Sequence, residues 1–111
     1  MHLIEIRDAE LLTALTDRLA DLGVTSGAIV SLIGAADSFT VSTMPAHDAS
    51  ANVVTDYDLP AEMTGTGEVI GGVPHIHAVM AVEGDRAISG HLHRARIGTW
   101  FAHVYVVPLD T

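Results

Sequence analysis

The chain has 111 residues, of which 49% are hydrophobic, so it fits one domain spanning residues 1–111, and disorder is excluded. Fourteen acidic residues against five arginines and no lysine give a net charge of −9, which disfavours binding to nucleic acids and to anionic membranes. Because cysteine is absent, disulfides, thiolate metal sites and cysteine nucleophiles are excluded.

The N-terminal part predicts a strand followed by a helix. Residues 2–7 alternate as a strand and show no signal-peptide pattern, so a cytoplasmic protein is expected. Asp8 is the predicted N-cap of a helix over residues 9–22, and Gly23 is its predicted end. Leucines recur at helical spacing in this segment and should face the core: Leu11, Leu12, Leu15, Leu19 and Leu22.

The central part predicts strands over residues 27–32, 38–44 and 52–59, and a helical turn over residues 60–63. Residues 65–72 are rich in glycine, which raises the question of a phosphate-binding loop. A dinucleotide fingerprint would need glycine at Ile70 and a helix after it, and there is no Walker lysine. The favoured interpretation is therefore a loop that enters a strand.

The C-terminal part contains three predicted strands, over residues 73–82, 86–93 and 97–107. Two His-x-His pairs lie on the first two of them, at His75-Ile76-His77 and at His91-Leu92-His93. Residues two apart on a strand point to the same face, so each pair presents two imidazoles on one side.

The loop between these two strands decides whether the histidine pairs meet. A two-residue loop would put them on opposite faces. A three-residue loop, residues 83–85, pairs Val82 with Arg86 and aligns the apolar residues, so hydrophobic matching selects it. The apolar face then carries Ile76, Met80, Ile88 and Leu92, with Ile76 opposite Leu92. The other face carries His77 opposite His91 and His75 opposite His93.

Such a patch of imidazoles favours a divalent metal site, because protonated histidines would repel one another and a metal binds the neutral ring. Zinc is the expected ion, with nickel, iron, copper or manganese as alternatives. The candidate ligands are His75, His77, His91 and His93, of which the first three are preferred. His103, on the next strand in sequence, could join from the side, whereas His2 and His47 should not. The alternative is an aromatic or hydrogen-bonding patch without metal.

The same segments carry a family resemblance. Gly72-Val-Pro-His-Ile-His77, the turn at Gly84-Asp85 and Ser89-Gly-His-Leu92 resemble the hallmark of prokaryotic PPC domains (plants and prokaryotes conserved domain): a Pro-x-x-His-x-His strand, an Asp-Gly-type turn and a Gly-Gly-His-Leu strand. Further upstream segments also fit the family, namely Val24-Thr-Ser-Gly-Ala-Ile29, Ile33-Gly-Ala35, Tyr57 and Gly67-Glu68-Val69-Ile70.

The resemblance implies an α+β fold, a mostly antiparallel sheet flanked by helices, assembled as a homotrimer. It also implies metal ligands at His75, His77 and His91. His93 and His103 depart from the family pattern. Plant members join this domain to AT-hooks that bind A·T-rich minor grooves, but the Arg-Gly-Arg-Pro core of that motif is absent, so DNA binding by that route is not implied.

Three functions follow as alternatives. The first is a metal-dependent enzyme that acts on a small molecule, with Glu68 as the candidate catalytic base; otherwise Glu68 is a solvated charge at a strand end. The second is an oligomeric binding module without turnover. The third is a DNA-associated regulatory protein, which the acidic charge disfavours.

The last strand indicates an oligomer on physical grounds. Large apolar residues lie on both faces of residues 100–107: Trp100, Val104 and Val106 on one, Phe101, Tyr105 and Val107 on the other. A strand that is apolar on both sides is covered on both sides, and one helix hardly covers two faces of a sheet. A neighbouring subunit is the expected cover.

Overall fold

A computed structural model describes residues 1–110, and alternating apolar residues place most of them in strands. The elements are β1 (His2–Ile6), β2 (Ala9–Glu10), α1 (Leu11–Asp21), β3 (Ser26–Ala36), β4 (Ser38–Thr43), β5 (Val53–Tyr57), β6 (Ala61–Ile70), β7 (Val73–Val82), β8 (Arg86–Ile97) and β9 (Ala102–Pro108).

All nine strands join one antiparallel sheet in the order β1-β9-β3-β6-β7-β8-β4-β5, with β2 paired to β8. The mostly antiparallel α+β architecture is confirmed, but a sheet flanked by helices is wrong, since α1 is the one helix within residues 1–110. The helical turn expected over residues 60–63 is instead the start of β6, where Ala61 pairs with Ala36 on β3. Pairing with neighbouring strands decides this conformation, and the local sequence does not reveal which strands are neighbours.

Helix α1 packs on one face of the sheet through Leu11, Leu15 and Leu19, which are fully buried. Its N-cap is Glu10, not Asp8 as predicted. The Glu10 carboxylate accepts hydrogen bonds from the backbone N–H groups of Leu12 (3.0 Å) and Thr13 (2.9 Å), which would otherwise lack partners. The same carboxylate accepts from the backbone of Ala95, which ties the helix start to β8. No helix among the described residues is long and apolar enough to cross a membrane.

The other face of the sheet, which we call the open face, has no helix over it within residues 1–110. On β7 the even-numbered residues from Pro74 to Val82 are buried and the odd-numbered ones are exposed. Ile33 on β3 is 55% exposed and Val79 on β7 is 42% exposed, so the open face carries accessible apolar side chains.

The glycine-rich stretch belongs to the body of β6 and not to a loop that enters a strand. A Cβ on Gly67 would collide with the carbonyl oxygen of His75, and one on Gly65 would lie 2.6 Å from that of His77. Glycine at these positions therefore lets β6 approach β7 closely beneath the histidines. The turn falls later, at Gly71 and Gly72, both of which have positive φ.

The predicted last strand is divided differently. Ile97 ends β8, and β9 begins only at Ala102, so Trp100 lies outside the strand and is 61% exposed. The Asp37 carboxylate accepts a hydrogen bond from the backbone of Thr99 (3.1 Å) within the connecting bend. Within β9, Val104 and Val106 are buried as part of the core, whereas the side chains on the open face are partly exposed.

Candidate metal centre

The β7–β8 hairpin has the predicted register and the predicted faces. Its loop is the three residues 83–85, in which Gly84 and Asp85 have φ of 85° and 61°. The Cα partners are Val82–Arg86, Met80–Ile88 and His77–His91. The apolar face is confirmed, because Ile76, Met80 and Leu92 are buried and Ile88 packs against the core.

The pairing of β7 with β8 ends at His77–His91, so the two further expected pairs, Ile76–Leu92 and His75–His93, are wrong. On the other side of β7, His75 is the Cα partner of Glu68 on β6. On its other side β8 pairs with β4, where Thr40–Arg94 is followed by Val41–Leu92. Between these two pairs β8 has one residue more than β4, namely His93, and this additional residue forms a β-bulge.

Three of the predicted ligands meet on the open face. One ring nitrogen from each of His75, His77 and His91 lies within 4.8 Å of the other two. The ring centroids are 5.0 Å apart for His75–His77, 4.6 Å for His75–His91 and 6.0 Å for His77–His91.

This donor set fits a divalent transition metal. Nitrogen ligands about 2.0–2.1 Å from zinc in tetrahedral geometry lie about 3.4 Å from one another, so modest side-chain rotations would bring the three nitrogens into range. His75 and His77 are exposed and His91 is partly exposed, which leaves the position between the rings accessible from solvent.

The electrostatics of the cluster favour the neutral form of His91. Its pKa is lowered from the ordinary 6.5, first because burial penalises the charged ring and then because His93, His75 and His77 are nearby. A neutral imidazole is the form that binds a metal, so this position is prepared for ligation at neutral pH.

His93 lies beside the three but has a different partner. Its ring centroid is 4.5 Å from that of His91, and its Nε2 forms a 2.7 Å hydrogen bond with the hydroxyl of Ser42. Ser42 is only 4% exposed, so this bond satisfies a buried polar group. The bulge on β8 thus directs His93 toward β4.

Glu68 lies next to His75, as its Cα partner across the β6–β7 ladder. A hollow of about 270 Å³ is lined by Thr66, Gly67, Glu68, His75 and His77. The Glu68 side chain is exposed, and in residues 1–110 its carboxylate has no hydrogen-bonding or ionic partner. A carboxylate is therefore available beside the histidine cluster.

The possibility that His103 joins the cluster from the side is not realised within one chain. Although β9 follows β8 in sequence, it pairs with β1 and β3, and β6 lies between β3 and β7. Three strand spacings of about 4.8 Å separate β9 from β7. His103 Nε2 lies 2.8 Å from the Glu5 carboxylate instead. His2 on β1 and His47 in the loop after β4 also lie outside the cluster, as expected.

A cavity of about 770 Å³ adjoins the cluster, and the sequence interpretation missed it. His77 and His91 line it, as do Thr64, Val79 and Ser89, which are paired across the sheet two residues away from them. The alternation of β6 was the available signal, because Thr64, Thr66 and Glu68 fall on one face once the segment is treated as a strand.

Comparison with known proteins agrees with this fold. The model of the Plants and Prokaryotes Conserved (PCC) domain, the family abbreviated above as PPC, matches residues 1–109. A plant- and prokaryote-conserved (PPC) protein from Pyrococcus horikoshii has a similar structure, with a TM-score of 0.85, 20% identity, and coverage of 99% of this chain and 78% of that one. No curated protein matches this chain in sequence.

Two further solved structures share the fold. The metal-containing protein from Archaeoglobus fulgidus has a TM-score of 0.76 and 23% identity, with 97% of this chain and 78% of that one covered. A protein from Ralstonia eutropha JMP134, called a "Putative DNA-binding protein", has a TM-score of 0.78 and 23% identity, with 98% and 78% covered.

Proposed function

The chain belongs to the Plants and Prokaryotes Conserved domain family, and on that premise we propose that it is a metal-binding member in which His75, His77 and His91 hold one divalent ion. The observation that carries this proposal is the convergence of three imidazole nitrogens within 4.8 Å on an accessible face. One similar structure is called a metal-containing protein, which is consistent with such a site.

Zinc is the first candidate, because nitrogen ligands and three protein positions with room for one more are typical of it. Elemental analysis of native, untagged protein tests this directly. About one ion per chain is expected in the wild type, and His77→Ala or His91→Ala should lose most of it. His47→Ala, which alters an exposed loop outside the cluster, is the matched control. Metal-free wild-type protein would overturn the proposal.

A metal held by three histidines keeps a coordination position open and acts as a Lewis acid when bound, so we propose a metal-dependent enzyme that acts on a small molecule. Glu68 is the proposed general base, because the residue is the Cα partner of His75 and its side chain is exposed to solvent. Glu68→Gln should keep the metal and lose turnover found in a substrate screen. Metal binding without turnover would favour the alternative, an oligomeric binding module.

DNA binding is suggested by the name of one similar structure, but the charge of this chain opposes it. With a net charge of −9 and no lysine, the protein surface repels phosphate backbones. We therefore propose that it does not bind duplex DNA at physiological salt. Tight, salt-dependent binding in a fluorescence titration would contradict this.

We further propose that the protein is a homotrimer. Physical support comes from the open face and the segment beside it, where Leu3, Ile33 and Trp100 are each more than half exposed. A second copy of the chain is a natural cover for such side chains, and the family resemblance supplies the number three. Light scattering coupled to size exclusion would reveal the assembly, and a stable monomer at micromolar concentration would refute it.

A further inference from the structure

The cavity beside the histidine cluster has walls without fixed charge. Among the described residues that line it, none is lysine, arginine, aspartate or glutamate, although the whole chain carries a net charge of −9. The walls instead offer hydroxyl groups and an asparagine, contributed by Ser42, Thr43, Asn52, Thr64, Thr66 and Ser89. A ligand with a charged tail would find no counter-charge here, whereas a ligand with a hydroxylated tail would find partners.

The strand register arranges these groups in two rows on the open face. Thr66, His77 and His91 are successive Cα partners across β6, β7 and β8. The next row, two residues along each strand, consists of Thr64, Val79 and Ser89. The rows are about 6.7 Å apart, since each strand residue advances about 3.3–3.4 Å.

The second row combines two kinds of contact. Val79 is 42% exposed and presents an apolar surface between two hydroxyl groups. In contrast to the hydroxyl of Ser42, which is bonded to His93, those of Thr64 and Ser89 have no protein partner within residues 1–110. An apolar strip flanked by free hydroxyls is complementary to a carbon chain that carries hydroxyl groups along its edges.

We infer that the cavity binds a small polyhydroxylated compound, with one oxygen-bearing head group at the metal and an uncharged, hydroxylated tail over Val79 between Thr64 and Ser89. This inference rests on the proposed metal site. A compound of about five carbons, counted from the metal-bound head group, spans the distance between the two rows, because a chain advances about 1.2 Å per bond. The head group, a carboxylate or a carbonyl, is held by the ion, and the tail gives selectivity.

Calorimetry with zinc-loaded protein tests this, with D-xylonate and glycolate as probes. Both carry the same hydroxy-carboxylate head, but only xylonate carries the hydroxylated tail. Two additional hydrogen bonds predict that xylonate binds about 25-fold more tightly than glycolate, about fivefold for each bond. Xylarate, whose tail ends in a second carboxylate, should bind no better than glycolate.

Two variants locate the tail. Thr64→Val and Ser89→Ala should each weaken xylonate binding about fivefold and leave glycolate binding unchanged. Both residues are exposed, and metal content and unfolding temperature verify that each variant is folded. Thr55→Val on β5, which removes an exposed hydroxyl outside the cavity, is the matched control and should change neither affinity.

The outcomes separate this inference from the proposed function. If zinc is retained but xylonate and glycolate bind equally, or if neither Thr64→Val nor Ser89→Ala matters, the inference is wrong and the metal site stands. If the wild-type protein does not retain zinc at all, the proposed function fails, and the inference fails with it.

Discussion

Two groups of histidines lie on the same open face of this sheet, a cluster of three and His103 alone, and their neighbours differ. His75, His77 and His91 are surrounded mainly by one another, with ring centroids 4.6–6.0 Å apart. His103 is paired with Glu5, whose carboxylate also binds Arg7 at 2.9 Å. A histidine beside a carboxylate has a hydrogen-bonding partner within the protein, whereas three neighbouring imidazoles can offer their lone pairs to a cation.

The strongest way to break this comparison is to remove one histidine from each group. His77→Ala should lower zinc affinity on the order of 100-fold or more, because even residues that only orient ligands cost 10–100-fold. His103→Ala, the control on the same face, should leave zinc affinity unchanged. Titration with a competing chelator measures both. Equal losses would mean that the two groups act as one site.

Lowering the pH should weaken zinc binding by the first group. Protons compete with the metal for imidazoles, so zinc affinity should fall about tenfold or more as the pH drops from 7 to 5.5. His91 resists protonation, because its pKa lies below the ordinary 6.5. Without metal, its lowered pKa means that the unfolded chain binds the proton more readily, so stability is lost as pH falls below 6.5. A zinc affinity independent of pH over this range would contradict ligation by histidine.

A His93 variant tests whether the metal site extends beyond His75, His77 and His91. His93→Ala should leave zinc affinity within a few-fold of the wild type, because its Nε2 is bonded to Ser42. It should also destabilise the fold by about 1 kcal/mol, since the buried Ser42 hydroxyl loses its partner. Urea unfolding of the metal-free protein measures the stability. A loss of zinc as large as that of His77→Ala would make His93 a ligand.

The smallest expected effect concerns the second group alone. The pKa of the Glu5 carboxyl is lowered from the ordinary 4.5, first by its hydrogen bond with His103 and then by that with Arg7. His103→Ala should therefore raise the pKa of Glu5, as followed by NMR titration of its side chain. An unchanged pKa of Glu5 in this variant would contradict the assignment of its lowered pKa to His103.

Local pattern predicted the part of the site that depends on a single hairpin. Apolar residues at alternate positions of two adjacent strands, joined by a three-residue loop, permit one register that buries Ile76, Met80 and Leu92 together. That register places His77 opposite His91 and leaves His75 on the same face. The core positions of Leu11, Leu15 and Leu19 were equally predictable, because helical periodicity is a local property. Leu22, also predicted for the core, is the C-cap of α1 and is 42% exposed.

The start of β6 and the N-cap of α1 were predicted wrongly, because both depend on strand pairing. Ala61 and Met63 form the start of β6 because Ala61 pairs with Ala36 on β3 and Met63 pairs with Met80 on β7, which are 25 and 17 residues away along the chain. Glu10 replaces Asp8 as the N-cap because β2 pairs with β8 and places the Glu10 carboxylate beside the first turn of α1. In both places strand pairing decides the backbone conformation and outweighs local propensity.

The sequence by itself determined the hairpin register, the apolar and histidine faces of β7 and β8, and the acidic character of the chain, since all three follow from side-chain order and composition. Only the tertiary structure decided the rest of the site. The sheet order placed His103 beside Glu5, and a bulge against β4 turned His93 toward Ser42. The physical reason is that pairing between distant strands is a property of the whole sheet, and no local window of sequence encodes it.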